Sequence, residues 1–248
     1  MEIGIVTGAS SGIGKEFALQ VEDAYALDEV WLIAKRENLL EKTAAKLNHT
    51  KAVCIPMNLT SGEDMDMLKK KIEDESPGIR LLVNSAGYGH IGAFQDTSVC
   101  DQLAMIDLNV NALVRLTHIC LPQMGQGSVI FQVASINAFM PIPNGAIYCA
   151  TKAFVLNFAH AIHQELKTKG IHVITVSPGA VDTEWLGIAS NGAMEVSQNA
   201  AQPSDVVSLA IKDAKKGKLN STYGLINKGN IFLSRLLTRR SFLRLLSK

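Results

Sequence analysis

Residues 3–7 (IGIVT) form a short apolar, β-branched run that ends in Gly8-Ala9-Ser10-Ser11-Gly12-Ile13-Gly14, and a helical pattern follows over about 15–24. This order constrains the fold more than any other stretch of the chain. A strand, a tight glycine turn and a helix set backbone N–H groups and a helix N-terminus where a pyrophosphate can be held. The spacing is GxxxGxG, not the GxGxxG of the general dinucleotide fingerprint. A glycine loop alone is compatible with a bare turn; its place after a first strand favours the nucleotide.

The alternation continues. Residues 30–34, 52–57, 79–83, 128–133 and 171–177 read as further strands, with helical stretches between them. Thr60 with Glu63 forms a capping box for the third helix, and Met65, Leu68 and Ile72 mark its inner face. A long helix is expected over 100–124, with Asn109 embedded in an apolar surround as either a satisfied core amide or a functional one. Ser204 is expected to cap a last short helix, and 223–227 to form a seventh strand. Alternating strands and helices imply an α/β, doubly wound, Rossmann-type parallel sheet of about seven strands with helices on both faces. Sites in such folds lie at the C-terminal ends of the strands. There Ala34 is followed by Lys35 and Arg36, where an acidic residue would bond a ribose 2′-hydroxyl and repel a 2′-phosphate. Two cations favour NADP over NAD by charge complementarity. The small-residue turn Asn84-Ser85-Ala86-Gly87 lets a cofactor approach the backbone closely.

At 248 residues one domain spanning 1–248 is expected, and a formal charge of +1 gives no reason to expect nucleic acid. The charge is unevenly placed: from Lys228 onward there are six basic residues and no acidic one, leaving 18 basic against 23 acidic elsewhere. Cys54, Cys100, Cys120 and Cys149 show no CxxC pair or zinc spacing, so reduced thiols, a cytoplasmic setting and no metal are expected. His160 and His163 are spaced i, i+3 without a third ligand, which favours surface or subunit packing over metal. His90, in the 88–97 loop, is expected to be solvated. The first strand leaves no room for a signal peptide, and no run of about 18 apolar residues is apparent. Residues 184–202, with Trp185, Leu186, Ile188 and Met194, are a candidate lid. The tail, 229–248, alternates apolar pairs with arginines; Arg239 and Arg240 fall inside its projected apolar arc. Packing of the tail on its own body or a second subunit is expected ahead of contact with a membrane surface.

Tyr148 and Lys152 lie one helical turn apart at the head of a long apolar helix. An adjacent ammonium stabilises a phenolate and is expected to draw the tyrosine pKa down from its usual ~10. Such a pair suits proton exchange with a carbinol oxygen.

Together these pieces match a family. TGASSGIG at Thr7 to Gly14, NSAG at Asn84 to Gly87, Asn109, Ser135, Tyr148-x-x-x-Lys152 and the Ser177-Pro178-Gly179 to Thr183 run occur in one order and spacing. The chain resembles the short-chain dehydrogenase/reductases over residues 3 to about 227. The resemblance implies an NAD(P)-dependent oxidoreductase interconverting a ketone and a secondary alcohol, with Asn109, Ser135, Tyr148 and Lys152 as catalytic tetrad. In that scheme Ser135 holds the substrate oxygen, Tyr148 exchanges its proton, Lys152 lowers the tyrosine pKa and bonds the nicotinamide ribose, and Asn109 positions water. Cofactor contacts are expected from Gly8, Ser10, Ser11, Gly12, Ile13, Gly14, Lys35, Arg36, Asn58, Leu59, Asn84, Ala86, Gly87, Tyr148, Lys152, Pro178, Gly179, Val181 and Thr183. A homodimer or homotetramer is implied. Three departures stand out: Asn58 where the family has aspartate, Ser85 where a second asparagine is common, and a basic tail in place of a glycine-rich ending. Phe139, Met140, Ile142, Trp185, Leu186 and Met194 point to a lipophilic, steroid-like or acyl-chain ketone. A non-catalytic NADP sensor is the alternative from another class, though such proteins commonly lack the tyrosine or lysine retained here.

Overall fold

In the computed structural model, described over residues 1–193, 200–238 and 241, seven parallel strands line up in the order β3-β2-β1-β4-β5-β6-β7. Their ranges are β1 (Glu2–Thr7), β2 (Glu29–Ala34), β3 (Lys51–Pro56), β4 (Gly78–Asn84), β5 (Val129–Val133), β6 (His172–Val176) and β7 (Asn220–Ser221). The strands read as near-continuous apolar runs because both faces of a parallel sheet are covered. Successive side chains nevertheless point to opposite layers. Ile3, Ile5, Trp31, Ile33, Leu82, Ile130 and Val173 enter one core; Val6, Val30, Leu32, Leu81, Val83, Phe131 and Ile174 enter the other.

The first core is closed by α3 (Gly62–Glu75), the long helical segment beginning with α4 (Val99–Ile106) and continuing as α5 (Leu113–Cys120), and α6 (Ala146–Leu166), through Met65, Leu68, Ile72, Leu116, Ala159 and Ile162. The second is closed by α1 (Gly12–Ala24), α2 (Glu37–Ala44) and α8 (Pro203–Lys215), through Phe17, Val21, Leu40, Val206, Val207 and Ala210. Phe17 and Phe131 meet there with ring centroids 4.9 Å apart. Two further helices, α7 (Trp185–Ala189) and α9 (Leu225–Leu236), lie outside these layers. Strand order reverses between β1 and β4, so the crevice at their C-terminal ends is the switch point where a doubly wound sheet holds ligands.

Several local expectations are corrected. The cap of α3 is Ser61, whose hydroxyl accepts from Asp64 N at 3.2 Å; Asp64 in turn accepts from Asn58 N, so Thr60 and Glu63 form no box. Helix α8 starts with Pro203 after an N-cap Gln202, leaving Ser204 inside the first turn. The seventh strand is Asn220–Ser221, a two-residue edge, and Leu225 onward is helical. The helix expected over 100–124 widens into a π turn at Asp107–Ala112. By length and composition this segment, 99–123, could cross a membrane, with a mean hydropathy of 1.2. Its apolar character serves packing: Met105, Ala112, Leu113, Leu116 and Cys120 are buried in the protein. His160 and His163 turn toward the sheet, His160 Nε2 bonding Asn220 and His163 Nδ1 the Val173 carbonyl. Among the described residues no His, Cys, Asp or Glu cluster has metal-ligand geometry, and all four cysteines are free.

Candidate active site

The nucleotide end is built on the turn after β1. Gly8 and Gly12 take positive φ of 68° and 53°, conformations that favour glycine. A Cβ on Gly14 would stand 2.4 Å from the Gly8 carbonyl, so helix and turn can be this close only with glycine there. Helix α1 opens with neither a side-chain cap nor a first-turn acid, which leaves its N-terminal N–H groups and dipole to an anion. Thr7, not singled out from sequence, ties the turn to the next strand. Its hydroxyl donates to Val83 O and accepts from Ser85 N and Ala86 N at 3.0–3.1 Å. Beside the turn, Arg36 Nη2 bonds Ser10 Oγ at 3.3 Å and Ser11 Oγ at 3.0 Å, and makes a short ion pair with Glu184. Each partner shifts the other away from neutrality, Arg36 upward and Glu184 downward. Lys35 is exposed.

The residues expected to be catalytic lie where β5 and α6 meet. Ser135 follows β5 in extended conformation, and its hydroxyl accepts from Asn137 N at 3.1 Å. Tyr148, 9% exposed, has Ser135 as its polar neighbour across the gap the sequence spacing allowed. Lys152 sits one turn on, 6% exposed, with Nζ donating to Val133 O at 2.9 Å and lying 5.9 Å from the Tyr148 ring centroid. Burial governs both groups: the phenol is pushed up to about 12, only partly offset by Ser135, and the ammonium down to about 8. The expected lowering of the tyrosine pKa by Lys152 is therefore absent here. Desolvation outweighs the cation, whose proton is directed at the Val133 carbonyl.

Asn109, 1% exposed, is held in the π turn with both amide hydrogens engaged, on Tyr88 O at 2.8 Å and Thr151 Oγ1 at 3.1 Å, while its Oδ1 accepts from Tyr88 N. Thr151, overlooked in the sequence, donates in turn to Tyr148 O. The Asn109 side chain therefore braces the Tyr88 loop against the catalytic turn. Gly87 completes the cluster; a Cβ there would lie 3.3 Å from Asn109 Oδ1 and 3.4 Å from Lys152 Nζ.

The loop after β6 folds over the glycine turn: Thr183 Cγ2 stands 3.0 Å from where a Gly12 Cβ would be, Pro178 O accepts from Ile136 N, and Val181 bridges Ala201. Gly179 faces Asn227, 2.5 Å from its hypothetical Cβ. Trp185 then covers Tyr148, ring centroids 4.9 Å apart, and occupies the space a Gly89 side chain would need. Part of the candidate lid, including Met194, lies outside the described residues. Of the apolar positions picked from sequence, Met140 is buried and Phe139, Ile142, Trp185 and Leu186 are half-buried.

Three expected cofactor contacts are not presented by their side chains. Asn84 points into the core to Thr117 Oγ1 at 3.0 Å. Leu59 is buried in the sheet–helix core. Asn58 folds back on its own loop, accepting from Thr60 N and Oγ1. His90, expected to be solvated, is part-buried, and its backbone N–H donates to Met105 Sδ.

A seven-stranded parallel sheet with a glycine turn at its switch point and a Ser-Tyr-Lys cluster beside it belongs to the class of NAD(P)-dependent oxidoreductases acting between alcohol and ketone. The chain is a member of the short-chain dehydrogenase family, whose sequence profile matches residues 2–192. It is 32% identical over 184 residues to an uncharacterized oxidoreductase of Staphylococcus aureus, covering 73% of this chain and 79% of that one. Its fold is similar to that of a short-chain dehydrogenase from Sphingobium yanoikuyae in complex with NADPH (25% identity, TM-score 0.80, 96% and 97% of the two chains). It is also similar to a bulky-bulky ketone specific alcohol dehydrogenase from Comamonas testosteroni (25% identity, TM-score 0.76, 95% and 92%).

Proposed function

We propose that this enzyme reduces a lipophilic ketone to a secondary alcohol with NADPH, with Tyr148 as proton donor. The observation that carries the assignment is the buried Tyr148 phenol, neighboured by Ser135 and Lys152. A phenol held near 12 keeps its proton throughout the neutral range and is a donor there. Ser135 orients the substrate oxygen toward it. Lys152, charged below about pH 8, stabilises the negative charge that grows on the phenol oxygen as the proton leaves. Asn109 and Thr151 fix the turn carrying both groups.

The glycine turn, Arg36, Ser10, Ser11 and the loop from Pro178 to Thr183 would hold the dinucleotide, which supplies the hydride. Arg36 beside two hydroxyls, with no acid at the end of β2, supports NADPH over NADH. The Sphingobium relative was solved with NADPH, which agrees with the cofactor proposed, and the Comamonas relative takes bulky ketones, which agrees with the half-buried apolar Trp185, Phe139 and Ile142. Exposed Val99 and Leu103 on α4 and Phe154 on α6 support assembly as a homodimer or homotetramer, and the free cysteines support a cytoplasmic setting. A panel of bulky and small ketones assayed with each cofactor tests the proposal. Turnover of the bulky ketones at least about tenfold better with NADPH is expected; a preference for NADH would overturn the role given to Arg36.

A further inference from the structure

Helix α9 is amphipathic in the reverse sense for a helix that packs on its own globule. At ~100° per residue, Phe232, Leu225, Leu236, Leu233 and Ile226 fall within one arc of roughly 120°. That arc faces solvent: Leu225 is 85% exposed, Ile226 80%, Leu236 66% and Phe232 64%. The part-buried positions are instead Asn227, Asn230, Ile231 and Ser234, three of them polar. Exposed Lys228 and Arg235 border the apolar arc along one edge. The helix ends where Leu237 turns extended. Arg239 and Arg240, expected from sequence to interrupt the arc, come after it and lie outside the described residues.

Charge selects the occupant. From Lys228 to Lys248 the chain carries six basic residues and no acid. A second copy meeting the same stripe about a two-fold axis would bring together the two basic edges if the helices ran antiparallel, or the two basic tails if they ran parallel, and like charges oppose either. An anionic phospholipid surface takes both features at once, apolar side chains into the headgroup–acyl boundary and cations among the headgroups. We infer that α9 docks the enzyme on an anionic membrane surface. The helix adjoins the site, with Asn227 against Gly179 and the Arg235 guanidinium 5.8 Å from the Phe139 ring centroid. Docking therefore brings the cleft's apolar rim close to the lipid. The docking stands whether or not the proposed substrate is correct.

The test is sedimentation of the full-length protein with vesicles of phosphatidylcholine alone or mixed with phosphatidylserine, at low and high salt. The protein is expected to pellet with the mixed vesicles, less so at high salt, and little with phosphatidylcholine. Phe232→Ser combined with Leu236→Ser is expected to keep the wild-type melting temperature and to weaken partitioning at least about tenfold. Lys228→Glu with Arg235→Glu is expected to abolish the preference for phosphatidylserine. Wild-type protein that stays in the supernatant, or pelleting unchanged in both double variants, would overturn the inference. So would a dimer in light scattering that dissociates in the Phe232/Leu236 variant while no vesicle binding occurs, since a second copy would then cover the stripe.

Discussion

Burial moves the two ionisable side chains of the proposed catalytic turn in opposite directions, Tyr148 up to about 12 and Lys152 down to about 8. Each shift disfavours the charged form, so at neutral pH the phenol is protonated and the lysine is close to losing its proton. The consequence for rate has a definite sign. In the proposed mechanism ketone reduction needs the phenol proton and benefits from the Lys152 charge, so kcat for reduction is expected to hold below about pH 8 and to fall above it. Alcohol oxidation needs the phenolate and is expected to rise with pH over the same span. A pH–rate profile in both directions checks this; a reductive kcat that climbs between pH 8 and 10 would contradict it. A second consequence concerns Arg36, which Glu184 partly neutralises in this structure. Both side chains are nearly half exposed, so the pair is modest in energy. Glu184→Gln is expected to tighten NADPH binding by about 2–5-fold and to leave NADH nearly unchanged, measured by cofactor fluorescence titration.

At the scale of elements, the site depends on a clamp between two helices. The π turn at Asp107–Ala112 carries Asn109, whose amide bonds the Tyr88 backbone and Thr151, and Thr151 reaches Tyr148 O. Widened turns of this kind recur at functional sites. Thr151→Val keeps the volume and removes both bonds, leaving a buried Asn109 donor without its acceptor. The expected loss is about 1–3 kcal/mol of stability, read as a lower melting temperature, with kcat falling more than the NADPH dissociation constant rises. Elements were unevenly legible in the sequence. Of the first six strands, five are apolar runs buried on both faces and the edge strand β3 is an apolar run that is half-buried, and periodicity finds those. Strand β7, two residues long on the sheet edge, has no pattern to find. Thr60 and Ser61 both head a plausible cap three residues before an acid, and only tertiary geometry, with Asp64 reaching back to Asn58 N, decides for Ser61.

For the whole molecule, the order of strands turns distant sequence positions into one crevice. Ser135, Tyr148 and Lys152 were legible because their motif is local, and the structure brings them together. Thr7, Thr151 and Glu184 were not, because what gives them a role are hydrogen bonds that cross from one element to another: Thr7 to Ala86, Thr151 to Asn109, Glu184 to Arg36. Asn84 shows the converse. Its motif placed it at the cofactor, and the fold turns its side chain to Thr117. The tail is a third case: its apolar pairs read as packing surface, and of them Phe232, Leu233 and Leu236 face outward on α9, while those from Phe242 onward lie outside the described residues. All of these features converge on one buried phenol. The most direct measurement is steady-state ketone reduction by Tyr148→Phe alongside its NADPH affinity. Turnover is expected to fall by about 10²–10⁴-fold while the NADPH dissociation constant stays within about twofold. A variant that keeps most of its turnover would show that the proton comes from elsewhere.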